Sequence, residues 1–338
     1  MTAISNSPNP TTARLLILLS KLGPFIALIL LLIIFRLAIG EGLTGRTFWS
    51  LDNIRLMLSQ TTIVTIAACG MTMIIVSGGI DLSVGSIMAV SSVTAGLTLA
   101  AGGDPLLAIS VAIFSGAMCG LINGSIVSFF GISPFIVTLG MMGVARGTAK
   151  GLANEQMVRF PDTWLKNLMQ PIPFPNDSAA FKALIVAPGV WIAAILAIII
   201  AIIMARSVFG RTCYAIGSNE AAARLCGIRV RSNKIMIYAL AGAIFGLAGL
   251  LDLTRQSQGN PTTALGLELD VIAAVVIGGA SLAGGTGSIF GTVIGALIMG
   301  VLRAGTTQLA WPTWVQEILI GLIIVIAVGI DRLRNRNG

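Results

Sequence analysis

The sequence predicts an all-α protein, a polytopic bundle of about ten transmembrane helices. Of the 338 residues, 56% are hydrophobic, and the mean hydropathy is +0.95. Only 10% are charged, whereas a soluble domain carries roughly 25%, so too few charges are present to cover an aqueous surface. Several apolar runs reach the roughly 20 residues that a helix needs to cross the hydrocarbon core of a bilayer.

The predicted spans form a single transmembrane domain over residues 14–338, which follows a disordered cytoplasmic tail at 1–13. The first apolar stretch is longer than the 7–15 residues of a signal-peptide core, so we interpret it as an uncleaved span. Polar or glycine-rich connections separate the others. The ten predicted spans cover residues 15–40, 61–76, 83–101, 105–130, 134–150, 188–206, 234–253, 269–280, 288–303 and 316–330.

The distribution of basic residues predicts the orientation. The loop at 206–234 carries arginines and a lysine against the single acid Glu220, and the C-terminal tail carries three more arginines. Basic loops stay in the cytoplasm. An even number of spans then places both termini there as well. The net charge of +8 is explained by this bias, so we expect no nucleic-acid partner.

Missing residue types exclude several functions. The chain has no histidine, which rules out histidine ligands, a histidine base and a Ser–His–Asp triad. The four cysteines lack the spacing of a metal site. No phosphate-binding P-loop pattern occurs, so any ATP that drives this protein binds to another chain. We therefore expect a protein that is not an enzyme and that has no metal or cofactor of its own.

Glycines repeat at every fourth position in the predicted spans four and nine. Such stripes let two helix backbones approach closely in a membrane. We expect packing seams, and the same seams could slide during transport. The stripes are Gly116, Gly120 and Gly124 in one span and Gly287, Gly291 and Gly295 in the other.

Charged and polar residues beside the spans need a reason, because a charge at mid-bilayer costs at least about 2.5 kcal/mol. Asp81, between Ser77 and Ser83, either fixes a loop and caps a helix, contacts a solute, or couples transport to protons. Glu268 and Asp270, in the first turn predicted for span eight, either cap that helix or line the external mouth. These five residues are candidates for the translocation pathway.

The basic loop at 206–234 predicts a short helix over residues 220–225. Asn219 or Ser218 would be its N-cap, Glu220 lies in the first turn, and Gly227 would stop it. A short helix outside the membrane suits docking into a groove of another protein, although it could also be an ordinary loop helix. The candidate docking residues are Arg211, Gly217, Asn219, Glu220, Ala221, Ala222 and Gly227.

This loop, together with the segments at 77–85 and 267–279, resembles the ribose-type permease family of bacterial ABC sugar importers. The resemblance covers about residues 55–330 and implies the ABC importer permease fold. It also implies a multi-pass subunit of the bacterial inner membrane that carries a pentose, hexose or polyol. The family pattern includes Gly217, Asn219, Ala222 and Gly227, although seven residues separate Glu220 from Gly227, where the general importer motif has six.

The partners implied by the resemblance are a cytoplasmic ATP-binding subunit, an extracytoplasmic solute-binding protein, a second permease subunit of the same or a sister chain, and membrane lipid. Two alternatives stay open. One is a secondary transporter driven by an ion, with Asp81 as the coupling carboxylate. The other is an ABC permease for branched-chain amino acids or nucleosides.

Overall fold

The structure is a computed structural model that describes residues 10–40, 48–170 and 186–335. Within these ranges it is all-α, with only two strands of two residues each. One short 3₁₀ helix, Trp164–Leu168, follows the first strand. The helices are α1 (Pro10–Ile39), α2 (Leu51–Val76), α3 (Val84–Ala100), α4 (Pro105–Phe130), α5 (Pro134–Leu152), α6 (Pro188–Arg206), α7 (Val208–Ser218), α8 (Glu220–Leu225), α9 (Val230–Gln256), α10 (Leu267–Ile277), α11 (Ile289–Gln308) and α12 (Thr313–Asn335).

Ten of these helices coincide with the ten predicted spans, and the all-α membrane bundle is confirmed. In the described part of the chain, six helices are long and apolar enough to cross a membrane: α1 from Leu22 onward, α2, α4, α6, α9 and α11. Helix α3 and the apolar part of α12 are shorter. The predicted tail at 1–13 is partly helical, because α1 begins at Pro10, while residues 1–9 lie outside the described ranges.

The predicted glycine stripes are packing seams. Helices α4 and α9 lie backbone against backbone: a side chain added at Gly116 would meet the carbonyl of Gly242, and one at Gly120 would meet the carbonyl of Tyr238. The second stripe lets α11 approach α10, since a side chain at Gly295 would meet the carbonyl of Ala274. Close backbone contact replaces the hydrophobic drive that is weak between helices in lipid.

The α4–α9 seam gives a direct stability prediction. Gly120→Ala should lower the free energy of unfolding by about 1–3 kcal/mol, because the new methyl group has no room. Gly143→Ala in α5 is the matched control, since nothing lies within 4 Å of an added Cβ there. Thermal unfolding of the two variants in detergent measures the difference. Equal melting temperatures would contradict the seam.

The connections gather at the two ends of the bundle. At one end, called here the basic end, lie the segments 77–83, 207–229 and 278–288. At the opposite end, strand β1 (Val158–Arg159) pairs antiparallel with β2 (Gln258–Gly259), which follows α9. The long connection between α5 and α6 therefore pairs, through β1, with the strand that follows α9, and it contains the 3₁₀ helix. Its residues 171–185 lie outside the described ranges.

Candidate functional site

Helix α8 at the basic end has both predicted termini. The side-chain Oδ1 of Asn219 accepts a hydrogen bond from the amide of Ala222 at 2.9 Å, which makes Asn219 the N-cap. At the other terminus, Gly227 takes a φ of +81°, and the Ile228 amide donates to the Ala223 carbonyl at 3.1 Å. A glycine in this left-handed conformation is the usual way to stop a helix, so the predicted short helix is confirmed.

One side of α8 is anchored and the other is open. Ala223 packs into a small buried cluster with Ile216 and Val230. In contrast, Ala221 and Ala222 are exposed, and the side chain of Leu225 is 90% exposed. A large apolar side chain presented beside small residues on a charged loop is a suitable contact for another protein.

Two ion pairs fix the orientation of α8 against α9. The Glu220 carboxylate contacts the Arg224 guanidinium at 2.5 Å and the Lys234 ammonium at 2.6 Å. Lys234 lies in α9, fourteen residues away, and no local pattern predicts that it pairs with Glu220. Partial burial raises the pKa of Glu220, but the hydrogen bonds and charges of Lys234 and Arg224 outweigh it and lower that pKa below 4.5.

This lowered pKa makes the position of α8 dependent on pH. The ion pairs contribute fully above the unfolded pKa and are lost as the pH falls through the lowered pKa of Glu220. We expect amide protection of α8 to hold from neutral pH down to about 4.5 and to decrease at lower pH. Glu220→Gln should show the reduced protection already at neutral pH, by about 0.5–1 kcal/mol for partly exposed pairs. Hydrogen exchange measures the protection of the α8 amides in the unmodified chain and in Glu220→Gln. If protection in Glu220→Gln decreased at low pH as much as in the unmodified chain, the role of the Glu220 ion pairs would be contradicted.

Gly217, at the end of α7, joins three segments of the basic end. A side chain there would overlap the Val76 carbonyl, which ends α2, and would lie 2.7 Å from the amide of Gly285. That amide itself donates to Val76 at 2.9 Å, and the Tyr214 hydroxyl donates to the Gly287 carbonyl at 2.9 Å. A displacement of α7 and α8 would therefore also move α2 and the segment 278–288. These two hydrogen bonds anchor that segment to α2 and α7.

The surface beside α8 is basic. A cavity of about 430 Å³ opens between the start of α9 and the turn from α4 to α5. Arg224, Arg231 and Lys234 line it together with Glu220. Arg211, the remaining predicted docking residue, is exposed on α7 and makes only a long contact of 3.4 Å with the Arg206 carbonyl. Cationic side chains thus surround the open face of α8.

Asp81 lies inside the basic end and not on an open path. Its side chain is fully buried, and its Oδ1 accepts bonds from the Ser83 amide at 2.8 Å and the Ser83 hydroxyl at 2.5 Å. Ser83 occupies the N-cap position of α3 but makes no side-chain cap bond, because its hydroxyl points to Asp81. Ser77 donates to the Ile74 carbonyl at 2.8 Å. The loop-fixing interpretation of Asp81 therefore agrees with its contacts.

The acids predicted at the start of α10 do not lie at the far end of the bundle: Glu268 reaches the first turn of α3, where its Oε2 lies 3.1 Å from the position of a Cβ at Gly85. Asp270 is buried and forms an ion pair with Arg303 of α11. Asp270 lies in the first turn of α10, where no side-chain cap hydrogen bond is formed at the N-cap. Arg303 neutralises Asp270 although 46% of the arginine side chain is exposed. Glu268 is half-buried, and its charge acts on Arg146 of α5.

A second cavity, of about 270 Å³, lies beside these acids and is lined by residues of α2, α3, α9, α10, α11 and α12. Asp252 and Arg255 form an ion pair at 2.7 Å and line the cavity with Asp270 and Arg303. Its remaining lining includes the amides and hydroxyl of Gln60, Thr307 and Gln316. The sequence did not identify these three residues. Polar residues facing inward from apolar helices are the signal that could have found them.

This architecture defines a class. Helices long and apolar enough to span a membrane, a basic face at one end and a polar cavity between the helices are typical of a transport subunit. In the described ranges no group of three or more histidine, cysteine, aspartate or glutamate side chains is placed to hold a metal ion.

Comparison with known proteins gives the family. Residues 53–328 match the family described as branched-chain amino acid transport system / permease component. The chain is 39% identical over 318 residues to the ribose import permease RbsC of Bacillus subtilis (strain 168), with 94% of each chain covered. It is 38% identical over 290 residues to RbsC of Escherichia coli (strain K12), covering 84% of this chain and 87% of the relative.

A third relative, the fructose import permease FrcC of Rhizobium meliloti, is 37% identical over 311 residues, which cover 91% of this chain and 84% of the relative. No solved structure matches the chain. The chain belongs to the family of membrane permease components that the matching model describes. It is a multi-pass transport subunit.

Proposed function

We propose that this chain forms the translocation pathway of an ATP-driven sugar importer of the bacterial inner membrane. The single observation that carries the proposal is the open face of α8. A capped helix presents Leu225, 90% exposed, among small and basic residues, while no P-loop occurs in the chain. Such a helix suits the transfer of force from a separate ATP-binding subunit.

The docking surface comprises the exposed face of α8 and its flanks. Ala221, Ala222 and Leu225 would enter a groove of the ATP-binding subunit. Asn219 and Gly227 set the two ends of the helix, and the remaining predicted residues connect it to the bundle. Glu220 connects α8 to α9 through its ion pair with Lys234. Gly217 packs against Val76 and Gly285. Arg211 is exposed and adds positive charge beside α8.

The basic end faces the cytoplasm in this proposal, with both termini on the same side. The structure supports a common location for the basic loop and the segments 77–83 and 278–288, because Gly217 contacts both Val76 and Gly285. The opposite end, with β1, β2 and the 3₁₀ helix, would receive an extracytoplasmic solute-binding protein. A second permease subunit, identical or a sister chain, would complete the pathway, and lipid surrounds the pair.

Transport would follow alternating access. ATP binding draws the ATP-binding subunits together, α8 moves with them, and the junction at Gly217 shifts the end of α2. The second cavity, which Asp270 and Arg303 line, would border the external mouth, and Glu268 would lie near it. Ser77, Asp81 and Ser83 would shape the loop that borders the inner mouth. Asp270 is paired with Arg303 and Asp81 is hydrogen-bonded to Ser83, so the pathway suits an uncharged solute whose hydroxyls need only scattered polar partners.

The relatives favour a sugar over an amino acid, since two are named for ribose import and one for fructose import, although the family description names branched-chain amino acids. The test is uptake by proteoliposomes that contain this chain, its ATP-binding subunit and its solute-binding protein. We expect uptake of labelled ribose or fructose only with internal ATP, and none of leucine. Uptake driven by a proton or sodium gradient without ATP would contradict the proposal.

A further inference from the structure

Helix α10 is too short to cross a membrane, and it begins inside the bundle. Its 11 residues extend about 16 Å, roughly half the thickness of a hydrocarbon core. The chain before it turns back toward the basic end. Gly259, at the end of β2, packs against Gly96 of α3, whereas the Ala264 carbonyl packs against Gly85. These two glycines of α3 are eleven residues apart, so the segment 259–264 runs about 16 Å back along that helix.

Irregular backbone at such a depth needs a reason. Inside a membrane it is tolerated only where protein buries it or where it lines a water-filled cavity, and many transporters bind their solutes at helices interrupted in this way. The second cavity adjoins this segment, since Ala264 and Leu267 belong to its lining. Leu265 and Gly266, which lie between them, are exposed. The start of α10 thus borders an open space within the bundle.

The second cavity reaches from the end of the bundle opposite the basic end to the middle of the bundle. Thr307 and Gln316, in its lining, lie in the last turn of α11 and the first turn of α12. Val64, also in the lining, lies thirteen residues beyond the first residue of α2, which is about 20 Å along that helix. The volume of about 270 Å³ is just below the roughly 300–1,000 Å³ of small-molecule pockets. This space suits a solute the size of a monosaccharide.

The charges that line this cavity cancel. Asp252 is paired with Arg255, and Asp270 is paired with Arg303. Two negative and two positive side chains therefore balance among the charged lining residues. A carboxylate or ammonium group on a solute would have to compete with an existing ion pair and would lose its own hydration. A neutral solute leaves both pairs intact.

Two amides in the lining have unused hydrogen-bonding capacity. Gln60 of α2 and Gln316 of α12 make no hydrogen bond to any of the described residues, and both are partly exposed. Each side-chain amide offers one carbonyl acceptor and two N–H donors. The same lining contains the apolar side chains of Ile63, Val64 and Met88. A few polar groups beside an apolar surface suit a molecule that has both hydroxyl and C–H groups.

We propose that the second cavity binds an uncharged polyol of monosaccharide size, held by Gln60 and Gln316 beside the start of α10. Arg303 contributes the guanidinium N–H groups that Asp270 does not engage, since 46% of the arginine side chain is exposed. This assignment rests on the proposed function. It adds that the chain itself recognises the solute, in addition to the solute-binding protein.

The test compares mirror-image sugars on the purified full-length chain in detergent. Thermal unfolding is measured with D-ribose or D-fructose and with the same concentration of the L enantiomer. The nonspecific effect of a sugar on protein stability is equal for the two enantiomers. We expect a higher midpoint with one D sugar than with its enantiomer, and the difference should grow with concentration by mass action. Equal midpoints within both pairs would overturn the proposal.

Variants locate the effect. Gln60→Leu and Gln316→Leu each remove one amide and keep a side chain of similar size. Each should weaken binding by about tenfold, because hydrogen bonds to the solute are lost, so the difference between enantiomers should nearly disappear. Gln156→Leu, at an exposed position outside the cavity, is the matched control and should keep the difference. A difference that survives in both cavity variants would contradict the site.

Uptake by proteoliposomes separates the failure of this site from the failure of the proposed function. With the ATP-binding subunit and the solute-binding protein present, Gln60→Leu and Gln316→Leu should reduce ATP-dependent uptake, while the ATP-binding subunit still co-purifies with each variant. Full uptake in both variants would contradict the site and leave the proposed function standing. Uptake by the unmodified chain that needs no ATP would instead contradict the proposed function.

Discussion

Ala222→Glu should abolish the association of this chain with its ATP-binding subunit and leave the chain folded. Ala222 is exposed in the first turn of α8, where a carboxylate is favourable to the helix itself. Any loss of function must therefore come from what the open face contacts. We expect ATP-dependent uptake to fall below detection, because a buried unpaired charge at the centre of an interface costs several kcal/mol.

The measurement is co-purification of the ATP-binding subunit from membranes, followed by uptake. Ala101→Glu is the matched control: Ala101 is also exposed but lies in the turn between α3 and α4 at the opposite end. It should co-purify normally. Normal co-purification and uptake of Ala222→Glu would remove α8 from the docking surface.

Arg303→Met should destabilise the bundle by about 3 kcal/mol, because it leaves the Asp270 carboxylate buried without a counter-charge. The side chain of Asp270 is 1% exposed, while that of Arg303 is 46% exposed. We place the expected loss at the lower end of the range for buried pairs, since water already reaches the arginine. The readout is the thermal midpoint in detergent.

The double variant Asp270→Asn/Arg303→Met separates charge from packing. Removal of both charges should recover most of the lost stability, because no uncompensated ion is left. If the double variant is as unstable as Arg303→Met, the loss comes from packing of the arginine side chain and the ion pair is not the cause.

The predictable parts of the fold are those fixed by local chemistry. The length of the apolar runs predicted the membrane helices, and glycine spacing predicted the α4 side of the α4–α9 seam. The Asn219 cap and the Gly227 stop defined α8, since a cap depends on neighbours three or four residues away. These features need no knowledge of which helices meet.

The parts that could not be predicted depend on contacts between segments distant in the chain. Glu220 forms an ion pair with Lys234, and Asp270 with Arg303, only because their helices are neighbours in the bundle. The meeting of Asp81 with Asn123 across 42 residues belongs here as well. An asparagine within an apolar span was the available signal, because a polar group at that depth needs a partner. The partner itself is set by tertiary packing.

The exposed thiol of Cys226 reports whether α8 lies in the cytoplasm, where an ATP-binding subunit covers it. Cys226 directly follows α8, whereas Cys69 and Cys213 are buried. Labelling with a membrane-impermeant thiol reagent, with Cys226→Ser as the blank, should modify inverted membrane vesicles and not intact cells, and bound ATP-binding subunit should block it. Labelling of Cys226 in intact cells would contradict that location.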